Sequence, residues 1–99
     1  MKTLESAAAG LEAIGSPVRL SIYRLLVRAG PGGMPVGGIQ EQMGIPGSTL
    51  SHHLKHLESA GLILRRREGT THHCSANYEA MDGLIAFLTE ECCADAGGA

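Results

Sequence analysis

The sequence predicts one mainly helical domain with a single small β-hairpin, and three observations support this class. Its 99 residues are enough for one domain with a limited core. Hydrophobic residues make up 43% of the chain but aromatic residues only 3%, so the core must be largely aliphatic, which is typical of helices. Apolar residues also recur at helical spacing in most of the chain, and one turn signal separates two short extended runs.

Two helices are predicted at the start of the chain, over residues 3–14 and over residues 17–29. Gly15 ends the first helix, Ser16 is a favourable N-cap for the second, and Pro17 suits its first position. The predicted apolar stripe of the first helix is Leu4, Leu11 and Ile14. The arginines of the second helix are expected to face solvent, namely Arg19, Arg24 and Arg28.

A third helix is predicted over residues 36–43, after a short extended segment at residues 34–36. Gly37 and Gly38 each cost roughly 1 kcal/mol relative to alanine, so this helix must depend on packing. A turn at Gly44 and Gly47 then leads into a fourth helix, predicted over residues 46–60. The two helices and their turn form a candidate helix-turn-helix.

The fourth helix has one apolar and one polar face. At about 100° per residue, Leu50, Leu54 and Leu57 share a face. The polar face and its flanks consist of Ser48, Thr49, Ser51, His52 and Lys55. These side chains are hydrogen-bonding and not acidic, so they could approach phosphates and base edges in a DNA major groove. The alternative is an ordinary surface helix, which has the same periodicity.

Two short extended runs flank Glu68, Gly69 and Thr70, which predicts a β-hairpin. Basic side chains on this hairpin could contact the DNA backbone beside the groove, and they are Arg65, Arg66, Arg67, His72 and His73. The alternative is a charged hairpin that only faces solvent.

Charge is distributed unevenly along the chain, although the net charge is only −2. Residues 16–68 contain seven of the eight basic residues but three of the ten acidic ones. The basic middle of the chain is consistent with a nucleic-acid partner, whereas acidic and apolar ends are better suited to a protein interface.

A last helix is predicted from Asn77, as N-cap, to about Cys92. Its apolar residues are Met81, Leu84, Ile85, Phe87 and Leu88. A helix this apolar in a small domain should be covered, so we expect a homodimer formed by the first and last helices, the alternative being a monomer with intrachain packing. Residues 1–93 would then form one domain for DNA binding and dimerisation, and residues 94–99 a flexible tail.

The segment Ser-Thr-Leu-Ser-His-His-Leu-Lys-His-Leu-Glu-Ser-Ala-Gly-Leu-Ile, residues 48–63, resembles the recognition helix of the ArsR/SmtB family. The resemblance extends over roughly residues 11–93. It implies a dimeric winged helix-turn-helix repressor that binds operator DNA and is not an enzyme. Many arsenic-sensing relatives have two cysteines in the third helix, and this chain has none there.

Cys92 and Cys93 are adjacent thiols near the end of the chain, and soft thiolates select thiophilic metals and metalloids. The resemblance includes repressors with cysteines at this position, which implies trivalent arsenic or antimony as inducer and no catalytic cofactor. Such an ion takes three sulfur ligands. Cys74 of the partner chain or a small cellular thiol could supply the third, the alternative being that Cys74 is simply a buried strand residue. The alternative use of the pair is a thiol-redox or persulfide switch.

Other site classes are disfavoured by the sequence. His52 and His56 have zinc-ligand spacing but would lie on the DNA side without acidic partners. A metalloenzyme using His72, His73 and Cys74 would lack paired acid and base groups. An odd cysteine number, no convincing signal peptide and no long apolar run predict a cytoplasmic protein without a disulfide framework or a membrane partner.

Overall fold

A computed structural model describes residues 3–97 of the chain. The helices within them are α1 (Leu4–Ile14), α2 (Pro17–Ala29), α3 (Val36–Met43), α4 (Gly47–Ser59) and α5 (Tyr78–Thr89). The strands are β1 (Met34–Pro35), β2 (Ile63–Glu68) and β3 (Thr71–Ala76). The predicted class, mainly α with a small β-hairpin, is confirmed.

The three strands form one antiparallel sheet in the order β1-β3-β2. β2 and β3 make the predicted hairpin, and Gly69 at its tip has a φ of 61°, a backbone conformation that favours glycine. The short extended segment before α3 is the third strand, and Met34 pairs with Cys74. The sheet therefore joins the loop after α2 to the hairpin that follows α4.

The core lies between the helices and the inner face of the sheet. Leu50, Leu54 and Leu57 of α4 are fully buried, which confirms the predicted apolar face. They share one cluster with residues of α2, α3 and the hairpin, including Ile22, Leu26, Ile39, Leu62, Ile63 and Cys74. Burial of this aliphatic cluster is what stabilises α3 despite its two glycines.

α3 and α4 are joined by a turn in which Gly44 has a left-handed φ of 64°. Pro46 is the N-cap of α4 rather than its first residue, so the helix begins one residue later than predicted. This pair of helices and the β2–β3 hairpin that follows α4 form a winged helix-turn-helix fold. In this fold, α4 has the position of the recognition helix and the hairpin that of the wing.

The predicted stripe of α1 was wrong for Leu4 and Leu11, whereas Ile14 is partly buried against the core as expected. Ala7, Gly10 and Ala13 are the buried residues of this helix, whereas Leu4 is 69% exposed and Leu11 is 41% exposed. The small residues face inward because α1 packs closely on its neighbours, and a Cβ on Gly10 would lie 3.5 Å from Leu84 Cδ2. The large leucines are consequently left on the outer side of the protomer.

Two further predictions need correction. Arg19 does not face solvent, because its side chain is only 13% exposed and its Nε donates a 2.6 Å hydrogen bond to the carbonyl of Ala13. α5 ends at Thr89, three residues before Cys92, and the chain continues in turns in which Cys93 has a φ of 63°. These turns extend into the tail predicted at residues 94–99, whose last two residues lie outside the described part.

No helix between residues 3 and 97 combines the length and the apolar character that crossing a membrane requires.

Candidate nucleic-acid interface and cysteine pair

The recognition helix presents its polar residues to solvent, as predicted from its periodicity. Ser48, Thr49, Ser51, His52 and Lys55 are all exposed. The N-cap, Pro46, makes no side-chain hydrogen bond to the first turn, whereas Thr3, Ser16 and Asn77 cap α1, α2 and α5 in that way. Backbone N–H groups at the start of α4 are therefore available to an external acceptor.

An open groove of about 420 Å³ separates the recognition helix from the wing. Ser51 lines it from α4, Arg65 and His72 from the two wing strands, and Val36 and Gly37 from the start of α3. The fold thus brings together two predicted sites, Ser51 and Arg65, that are 14 positions apart in the sequence. The hydroxyl, guanidinium and imidazole groups in this groove are of the kinds that contact a phosphate backbone.

The three wing arginines have different surroundings. Nε of Arg65 lies 3.6 Å from Oε1 of Glu58, at the end of the recognition helix. Arg66 points to the other side of the sheet, where it pairs with Glu68 at 3.0 Å and donates to the carbonyl of Gly32. Nε of Arg67 donates to the carbonyl of Gly69 at the tip of the wing. Only Arg65 of the three lines the groove beside the recognition helix.

The histidines of α4 divide between two surfaces, and one prediction about them was wrong. His56 does have an acidic partner, because its Nε2 donates a 2.6 Å hydrogen bond to Oε1 of Glu12 on α1. Nη1 of Arg19 lies 3.5 Å from Nδ1 of His53. Burial lowers the pKa of His53, and the charges of Arg19, His52 and His56 lower it further. His52, by contrast, stays exposed on the polar face.

Sequence reasoning missed this link between α1 and the recognition helix. Glu12 and His56 are 44 positions apart, and no local spacing or motif signals a contact over that separation. The burial of Arg19 was not predictable either, because an arginine off the apolar stripe of a helix ordinarily faces solvent.

Cys92 and Cys93 lie exposed in the turns after α5, with their Sγ atoms 3.4 Å apart. Two thiols this close can reach one soft ion without rearrangement of the backbone. Among the described residues, no group of three or more histidine, cysteine or acidic side chains is placed to hold a metal. The pair by itself offers two thiol sulfurs.

Cys74 lies in the core, on β3, and its side chain is fully buried. Burial raises the pKa of its thiol, Glu58 raises it further, and Arg65 lowers it. A buried, protonated thiol is a poor ligand because metal binding requires the thiolate. The surroundings of Cys74 thus count against its role as third ligand, which stays a prediction.

Comparisons with known proteins agree with this geometry. Residues 14–66 match the family described as a helix-turn-helix domain. The uncharacterized HTH-type transcriptional regulator MJ1325 of Methanocaldococcus jannaschii is 43% identical over 70 residues, which span 71% of this chain and 76% of that protein.

Two solved structures show the same likeness. The homodimeric winged helix-turn-helix DNA-binding domain of a possible ArsR-family regulator from Mycobacterium bovis has a TM-score of 0.71 and 30% identity, covering 89% of this chain and 82% of that one. A possible transcriptional regulator for arsenical resistance also has a TM-score of 0.71, with 25% identity over 82% of this chain and 81% of its own. The fold, the exposed recognition helix and these relatives show that the chain belongs to the ArsR-type helix-turn-helix transcriptional regulators, which regulate by binding DNA.

Proposed function

We propose that this regulator is a homodimeric repressor that leaves its operator when trivalent arsenic or antimony binds at Cys92 and Cys93. The assignment of this inducer rests on the pair of exposed thiols, 3.4 Å apart, just beyond the last helix. The operator would be nearly palindromic, with half-sites separated by about one helical turn of DNA, roughly 34 Å.

Recognition of the operator is assigned to the exposed face of α4. Ser48, Thr49, Ser51, His52 and Lys55 would contact bases and phosphates in the major groove. Arg65 would contact the backbone from the adjoining groove, with Arg66 and Arg67 adding charge on the wing. Glu58 and Glu68, which lie beside Arg65 and Arg66, would compete with phosphates for these side chains.

Dimerisation is assigned to the outer sides of α1 and α5. Large apolar side chains are exposed on both helices, with Leu4 at 69%, Ile85 at 54% and Leu88 at 57%. Exposed apolar side chains on adjacent helices are typical of protein interfaces. The solved relative from Mycobacterium bovis is described as homodimeric, which supports the same assembly here.

The inducer site would consist of two protein thiolates and one external ligand. Thiolates are soft donors, and trivalent arsenic and antimony are soft acceptors that form three bonds to sulfur. Because Cys74 is buried in its own protomer, a small cellular thiol is the better third ligand. The structurally similar regulator described for arsenical resistance supports this choice of inducer.

Release requires only a modest coupling between the two sites. A difference of about 1–3 kcal/mol between the DNA-binding and the released dimer changes occupancy roughly 5- to 150-fold. The cysteines follow α5, and α5 packs against α1 through Leu84 and Gly10, so a change at the pair would reach the dimer interface directly.

The test uses a DNA duplex that the reduced wild-type protein selects from a random-sequence pool. Arsenite should release wild type from this duplex but not Cys92→Ser or Cys93→Ser, while Cys74→Ala serves as the matched control and should respond like wild type. Ultraviolet absorption from sulfur–arsenic bonds should appear with the same dependence on Cys92 and Cys93. Equal release of wild type and Cys92→Ser would refute the inducer site.

A second candidate rests on the same exposed pair of thiols. Hydrogen peroxide could oxidise Cys92 and Cys93 to one disulfide, with reduction of the peroxide to two water molecules, and this change would replace metalloid binding as the signal. The two candidates are separated by the duplex experiment with peroxide or polysulfide in place of arsenite. Release by the oxidant alone, reversed by a dithiol reductant, favours the redox switch.

A further inference from the structure

A polar cluster ties the C-terminal half of the recognition helix to α1 and α2. Its centre is the carboxylate of Glu12 on α1. Oε1 accepts a 2.6 Å hydrogen bond from Nε2 of His56 on α4, and Oε2 lies 3.7 Å from Nη2 of Arg19 on α2. One carboxylate therefore joins three helices.

A nearly buried guanidinium lies beside this carboxylate. The Arg19 side chain is 13% exposed, and its Nε is held at 2.6 Å by the carbonyl of Ala13. Its Nη1 lies 3.5 Å from Nδ1 of His53, one turn before His56 on the recognition helix. Arg19 thus contacts both Glu12 and the inner edge of α4, as supporting residues do around a precise binding site.

We propose that Glu12 is a positioning residue for DNA recognition, holding His56 so that the polar face of α4 meets the major groove at the correct angle. The buried leucines of α4 turn its polar face outward, and the anchor at His56 further constrains the rotation of Ser51 and His52 about the helix axis. Because α1 belongs to the proposed dimer interface, the same contact sets the recognition helix relative to the two-fold axis, on which half-site spacing depends. The inference rests on the DNA-reading role proposed for α4.

The alternative role for this contact is simple stabilisation of the fold. The Glu12 side chain is 64% exposed, and exposed ion pairs contribute little to the free energy of unfolding. A structural role would therefore leave DNA recognition unchanged once the protein is folded. A positioning role predicts the reverse, with stability nearly unchanged and recognition impaired.

The experiment compares Glu12→Ala with Glu5→Ala. Glu5 lies on the same helix, is exposed and makes no ion pair within residues 3–97, so both substitutions remove one negative charge from α1. General electrostatics predicts that both strengthen DNA binding slightly. A positioning role for Glu12 predicts instead that Glu12→Ala weakens binding to the selected duplex by about fivefold or more. The affinity for a scrambled duplex should not fall to the same extent.

Two further variants separate positioning from an indirect effect. Glu12→Gln should recover much of the specific affinity, since its amide oxygen can accept the same hydrogen bond from His56. In a double-mutant cycle, His56→Ala should cost little once Glu12 is alanine. Equal duplex affinities of Glu12→Ala and Glu5→Ala, or additive losses in the cycle, would overturn the inference. A different result would overturn the DNA-reading role of α4, on which this inference rests. That result is unchanged duplex binding by α4 variants such as Ser51→Ala and Lys55→Ala.

Discussion

Arg65 in the wing and Glu58 at the end of the recognition helix form a contact between these two elements, with Nε 3.6 Å from Oε1. The arginine that is best placed to meet a phosphate is therefore paired with an acid in the free protein. DNA must compete with Glu58 for this guanidinium. We therefore expect Glu58 to weaken binding to the DNA backbone.

We expect Glu58→Gln to strengthen duplex binding and to steepen its salt dependence. Without competition from Glu58, Arg65 is fully available to its phosphate, so the slope of log affinity against log salt should change by up to about −0.9. Fluorescence anisotropy between about 50 and 200 mM salt measures both quantities over a range in which such contacts weaken strongly. Glu79→Gln removes the same charge at the start of α5 and is the control. The same slope for the two variants would show that Glu58 does not compete with DNA for Arg65.

Gly33 cannot be replaced without loss of stability. Its φ is 74°, and a Cβ there would overlap the backbone carbonyl of Cys74 on the neighbouring strand. Gly33→Ala should therefore lower the free energy of unfolding by about 1–3 kcal/mol. Urea denaturation provides the measurement. The control is Gly32→Ala, where a Cβ meets nothing within 4 Å and the expected change is within about 0.5 kcal/mol.

The elements of this fold were predictable because their signals are local. Ser16 and Asn77 accept hydrogen bonds from Arg19 N and Ala80 N, so the capping residues do what their types predict. Leu50, Leu54 and Leu57 were assigned correctly to the core for a similar reason, since three leucines at helical spacing determine a face. Periodicity did not predict the buried face of α1, because small residues of this helix pack inward and its leucines are left outside.

The candidate site was only partly predictable, for a physical reason of a different kind. The exposed face of α4 follows from its own sequence. The contacts of Glu12 with His56 and of Arg65 with Glu58 depend instead on how helices and wing pack, which no local spacing encodes. The end of α5 at Thr89 also escaped prediction, because the residues that follow include no proline or glycine before Gly97.

Acid should destabilise the protein through His53. Burial, together with Arg19 and two neighbouring histidines, lowers the pKa of His53 in the folded protein, whereas unfolding returns it to an ordinary value of about 6.5. The unfolded chain then binds more protons than the folded one, so the stabilisation is present above that value and is lost as the pH falls below it. Thermal unfolding at pH 7.5, 6.5 and 5.5, values chosen to lie about one unit around the ordinary pKa, tests this.

His53→Gln is the informative variant in that experiment. Its amide oxygen can still accept a hydrogen bond from Arg19, but it does not titrate. We expect the melting temperature of this variant to fall less steeply with acid than that of wild type. Parallel curves for the two proteins would assign the acid sensitivity to other groups.

The three cysteines should separate into two reactive thiols and one protected thiol. Cys92 and Cys93 are exposed, whereas Cys74 is fully buried on β3. The thiolate is the reactive form, and burial raises the pKa of Cys74, so access and ionisation both protect it. A chromogenic disulfide reagent should therefore label the two exposed thiols of each native chain, and the third only when the core opens.

Denaturant and a matched pair of variants make this labelling decisive. In the native protein, Cys74→Ala should leave the number of reactive thiols unchanged, whereas Cys92→Ser should reduce it by one. Raising the urea concentration should release the third thiol along the same curve as global unfolding, because Cys74 lies in the central cluster rather than at its edge. Rapid labelling of Cys74 in the folded dimer would mean that this strand opens independently, and would restore Cys74 as a candidate third ligand for the metalloid.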